Sequence, residues 1–95
     1  MLEVTLSSGK VVTFRDLTAR QQMNADQCAK GDFSQLPYFR VAATIAKIDA
    51  TEFAVASNDL ELDARLDLLD AAEYNQLLGV FSEVFAPKKA AVKNI

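Results

Sequence analysis

The stretch "LEVTLSSGKVVTFRDL", residues 2–17, decides the fold class. Leu2, Val4 and Leu6 fall on one face of an extended chain, and Val12 and Phe14 resume the period-two alternation beyond "SSGK". A strand sends successive side chains to opposite faces, so the pattern predicts two strands joined by a tight turn. Gly9 supplies the permissive backbone that such a turn wants. An isolated hairpin is marginal in water, so its apolar face has to rest on what the remaining residues form.

Those residues read mainly as helix. In "DLTARQQMNADQCAKG", residues 16–31, Thr18 is a capping residue, Gln21 three positions on completes a capping box, and Gly31 is a natural stop. Its apolar members, Leu17, Met23 and Cys28, make a thin stripe, which predicts a peripheral helix. In "DFSQLPYFRVAATIAKID", residues 32–49, Pro37 sits where a first turn tolerates it. Tyr38, Val41, Ala42, Ile45 and Ile48 keep helical spacing, with Phe39, Ala43 and Ala46 widening the face. This predicts the central core helix.

Residues 50–69, "ATEFAVASNDLELDARLDLL", are ambiguous. Phe53 and Val55 alternate as in an extended segment, and Ser57 or Asn58 can cap a short helix through about Leu66; Leu62, Leu66 and Leu69 fit that helix, Leu60 and Leu62 fit a strand, and helix is the favoured reading. The final element, "LDAAEYNQLLGVFSEVFAP" at 69–87, is clearer. Asp70 and Glu73 repeat the cap-plus-three pattern, and Pro87 ends the helix. The expected architecture is α+β: an N-terminal β-hairpin packed on a bundle of three to four helices. One domain is expected over 1–87, with a basic, flexible tail at 88–95.

The chain has 95 residues, 51% of them hydrophobic and 24% charged, which is globular composition. Its net charge is −3, but residues 1–87 carry 13 acids against 7 bases, and the other three lysines follow Pro87. An acidic body lacks the clustered Lys and Arg that a phosphate backbone requires, so no nucleic-acid partner is expected. The N-terminus has no basic start, apolar run or cleavage pattern, and no stretch approaches the length of a membrane span. A cytoplasmic protein without a membrane partner is the expectation.

Catalytic and metal chemistry find little to use. There is no histidine, and Cys28 is the lone cysteine, which excludes an internal disulfide, a Ser–His or Cys–His pair and an ordinary zinc site. Cys28 reads as a small packed residue. "DLELDARLDLLD", residues 59–70, places acids at positions 1, 3, 5, 9 and 12 of a twelve-residue calcium loop. However, Ala64 stands where that loop needs glycine, and its leucines suit an amphipathic element. The segment reads as a solvated acidic face. "SSGK" resembles the end of a phosphate-binding loop but lacks the spaced first glycine and the helix that follows. No catalytic residue, metal or cofactor is expected.

What remains is surface. Tyr74, Leu77, Leu78, Phe81, Val84 and Phe85 form a stripe at helical spacing. Most of it reads as core, but one thin helix and one hairpin are little cover for its distal aromatics. An apolar stripe left open at a helix end is a protein-binding surface. These six residues are the candidate partner-binding site.

With these elements in place, "VTLSSGKVVTFRDLTARQQMNA", "IAKIDATEF" and "LDLLDAAEYNQLLGVFSEVF" resemble the small tail assembly chaperones of long-tailed bacteriophages and prophages, Mu-like ones included. The resemblance spans roughly residues 3–86 and consists of patterned apolar positions; Ala50 stands where a glycine is common. It implies a non-enzymatic protein of the host bacterial cytoplasm, absent from the mature virion. Such a protein binds the long, aggregation-prone tape measure protein, or another phage tail protein, and keeps it soluble. It leaves homo-oligomerisation open. Two other classes stay in view: a structural head–tail or tail component of the virion, and a small acidic phage protein that inhibits a host factor.

Overall fold

A computed structural model describes residues 2–84. The fold is α+β, with an antiparallel sheet in the order β1-β2-β3-β4 and four helices. The hairpin is there: β1 (Leu2–Thr5) pairs with β2 (Val11–Phe14) in the register Val4↔Val12, around a turn in which Gly9 has φ 91°. After β2 come α1 (Ala19–Gln27), a 3₁₀ turn (Phe33–Gln35) and α2 (Leu36–Thr44). The chain then returns to the sheet as β3 (Ile45–Ile48) and β4 (Thr51–Glu52), and ends in α3 (Asp59–Leu66) and α4 (Ala71–Val84). Phe85, Pro87 and the expected tail at 88–95 lie outside the described residues.

The capping signals hold. The Thr18 hydroxyl accepts from the Gln21 amide while the Gln21 side chain accepts from the Thr18 amide. Asn58 caps α3 by accepting from Glu61 N at 2.9 Å. Asp70 and Glu73 form the same reciprocal pair at the start of α4. Each box satisfies donors that a helix start would otherwise leave open.

One expectation fails. The central helix does not run through Ile45 and Ile48; it ends at Thr44, and these two residues lie in β3, paired with Phe14 and Val12 of β2. The hairpin is therefore half of a four-stranded sheet, and it packs on the helices as part of that sheet. Tertiary pairing overrides the helical spacing because β-branched Ile45 and Ile48 complete the apolar face that Val12 and Phe14 begin. The Thr44 hydroxyl donates to Val41 O at 2.7 Å and Arg15 N donates to Thr44 O at 2.7 Å, so carbonyls freed at the helix end find partners at once.

Two apolar clusters result. Leu6, just beyond β1, and Val12, Phe14, Ile45 and Ile48 of the sheet meet Val41 of α2 and Tyr74 and Leu77 of α4. Ala25 and Ala29, at and just beyond α1, meet Phe39, Ala42 and Ala43 of α2 and Leu62 of α3. Alanines on α1 and α2 let these two helices approach closely. That is how α1, thin in large apolar residues, is still seated.

Candidate functional site

The partner stripe on α4 divides along its length. Leu77 is wholly buried, and Tyr74 is buried with its ring stacked on Tyr38 of α2, centroids 4.5 Å apart and 16° between planes. Burial, then the neighbouring Tyr38, push the Tyr74 phenol above its usual value. Leu78 and Phe81 are half-buried against the sheet cluster, and Val84 is 46% exposed. Phe85 lies outside the described residues. Tyr74 and Leu77 thus belong to the core and are not surface anchors. Within the described part of this stripe, only the distal turn of α4 offers apolar area to another molecule.

The start of α4 is fixed by a polar clasp to the hairpin turn. Glu73, buried at the helix start, accepts from Ser8 Oγ at 2.7 Å, Lys10 Nζ at 3.1 Å and the Asp70 amide at 3.0 Å. Lys10 also donates to Leu68 O at 2.8 Å, and Ser7 N donates to Gln76 Oε1 at 3.0 Å. The Asp70 amide, the Ser8 hydroxyl and Lys10 hold the Glu73 carboxyl down at about 2, so it stays ionised. "SSGK" therefore serves as an anchor for α4 rather than a phosphate loop.

Arg65 is the polar residue that the sequence reading missed. It is 3% exposed and donates to Ala42 O at 3.4 Å, to Ile45 O at 3.5 Å and to Ala54 O, with its guanidinium 5.0 Å from the Phe53 ring centroid. Arg15 donates to Phe53 O. Among the described residues neither arginine forms an ion pair, and the Nε of each is buried without a partner. Burial, then the charge of Arg15, push Arg65 below its usual value. The two cations hold the segment after β4, and Arg65 also bonds the carbonyl end of α2, where helix dipoles favour positive charge. Leu62, Arg65 and Leu66 share helical spacing, which was the available signal. The first eight residues of "DLELDARLDLLD" are thus helix α3, with a buried basic residue, so the segment is not a wholly solvated acidic face.

A second apolar surface lies away from α4. Met23, Ala29, Phe33 and Leu36 line an open cleft of about 360 Å³ between α1 and the 3₁₀ turn, with Asp26, Asp32 and Arg40 around it. Phe33 is 81% exposed, the most exposed of the large apolar side chains described. Arg40 holds Asp26 through Nε at 2.7 Å and Nη2 at 2.9 Å. The sequence reading assigned Phe33 no role; its position after Gly31 and before Pro37, outside either helical stripe, was the available signal.

Cys28 is half-buried, its thiol donating to Asn24 O at 3.4 Å and raised by burial above its ordinary value. Among the described residues no group of three or more His, Cys, Asp or Glu side chains is placed to hold a metal ion, and no helix is long and apolar enough to cross a membrane. Comparison with known proteins finds no matching family model, no matching curated protein and no matching solved structure.

Proposed function

We propose that this chain is a non-enzymatic phage tail assembly chaperone, which binds the tape measure protein in the host bacterial cytoplasm, keeps it soluble while the tail forms, and is left out of the mature virion. The observation that carries the binding reading is the gradient along α4, from buried Leu77 through half-buried Leu78 and Phe81 to Val84 at 46% exposure. A helix whose apolar face continues past the end of its own core offers area to a second helix. The acid excess of residues 1–87 keeps such a surface in solution. The choice of tape measure protein as client rests on the resemblance of residues 3–86 alone.

The test is co-expression with the long helical protein encoded beside this one, scored by the client's solubility and by co-purification. The expected result is a soluble, co-purifying client, with Val84→Lys weakening the complex while the free chain melts as the wild type does. A client that stays insoluble while this chain purifies alone overturns the reading. Recovery of the chain in purified virions would favour the structural-component class instead.

A further inference from the structure

We propose that the cleft between α1 and the Phe33 turn is the face through which two copies of this chain pair about a two-fold axis, each Phe33 ring entering the cleft of the other copy. Phe33 forms part of the wall of an apolar depression while 81% of it remains open to solvent. A projecting ring and a cleft of about 360 Å³ therefore sit side by side on one surface. That volume is at the small end of the roughly 300–1,000 Å³ typical of ligand sites, enough for inserted side chains. Two-fold pairing brings one patch against its own copy, so a patch that carries both projection and recess is complementary to itself. Met23, itself 44% exposed, adds an unbranched side chain that packs readily against an aromatic ring.

The charges at the rim fit the same occupant. Arg40 binds Asp26 through Nε and Nη2, its Nη1 has no partner among the described residues, and 39% of its side chain is exposed. Asp32, on the same rim, is bonded to Ser34 and Gln35 and has no cationic partner among the described residues. One cation with a spare donor and one carboxylate without a cation are what each copy offers the other. A strongly basic partner would call for a rim of acids alone. The lining residues all belong to α1, α2 and the segment between them, so the inference does not depend on the α4 reading of the client site.

The experiment is light scattering and sedimentation of the full chain from micromolar to millimolar concentration, with Phe33→Ser and Met23→Ser beside it. The expected result is a wild type of twice the monomer mass that dissociates on dilution, and two variants that stay monomeric with the wild-type melting temperature. A Phe33→Trp variant is expected to shift its emission to shorter wavelength as concentration rises. A wild type that is monomeric throughout, a dimer that survives Phe33→Ser, or an open-ended series of larger species overturns the proposal.

Discussion

Leu77→Ala tests whether α4 is seated as described. Leu77 is wholly excluded from solvent, among Val12, Phe14, Val41 and Ile45. The change removes three carbons, and at ~0.8 kcal/mol per buried methylene the lost transfer energy is about 2.4 kcal/mol. A residual cavity of roughly 50–80 Å³, at ~24 cal/mol per Å³, adds between about 1 and 2 kcal/mol, so the expected cost is about 3.5–4.5 kcal/mol. A domain of this size has a total stability of about 5–14 kcal/mol, so the variant keeps a fraction of it at best. Urea unfolding followed by far-ultraviolet circular dichroism measures the loss as a lower midpoint at unchanged slope. The control is Val84→Ser at the exposed end of the same helix, expected within about 0.5 kcal/mol of wild type. A cost below about 1 kcal/mol at Leu77, or equal costs at the two sites, would refute this placement of α4.

Three further outcomes are expected. Glu73 has its carboxyl lowered from 4.5 to about 2, so its contribution is complete above pH 4.5 and is lost as pH falls toward 2. In stability measured against pH, Glu73→Gln should lack that acid-side decline, and the two curves should converge near pH 2. Thr18→Ala removes the hydroxyl that caps α1 and should cost about 1 kcal/mol by urea titration, with Thr18→Ser recovering most of it. Gly9→Ala meets no atom within 4 Å, so its cost is the left-handed backbone alone, about 1–2 kcal/mol, read as a lower thermal midpoint.

Local chemistry was the legible part of this fold. The hairpin, the Thr18 box, the Asn58 cap and the Asp70–Glu73 pair all follow from residues within three or four positions of one another. The end of α2 was not legible, because "RVAATIAKI" carries no glycine or proline to mark a boundary and suits helix and strand equally. What ends the helix there is β2, which is distant in sequence and takes Ile45 and Ile48 as partners. The nearest local clue was Asp49, which adopts φ 50° and accepts from Val11 N at 2.9 Å in the β3–β4 turn. The α4 stripe was legible as a periodicity, but its division into core and surface depends on where the sheet stops covering it. Arg65 was hidden by the five acids around it, although its spacing from Leu62 put it on the inner face.

The two ties that hold the chain together away from its apolar core differ in what they answer to. The clasp between the hairpin turn and α4 centres on a carboxylate, so protonation removes its charged contacts and leaves the Ser7–Gln76 and Lys10–Leu68 bonds. The arginine latch over residues 53–54 joins guanidinium groups to peptide carbonyls, and carbonyls have no proton to gain in the same range. Acid therefore loosens this molecule from one end. The start of the helix that carries the proposed client surface loses its charged ties to the turn first, while Tyr74 and Leu77 keep that helix in the core and the arginine latch is unchanged.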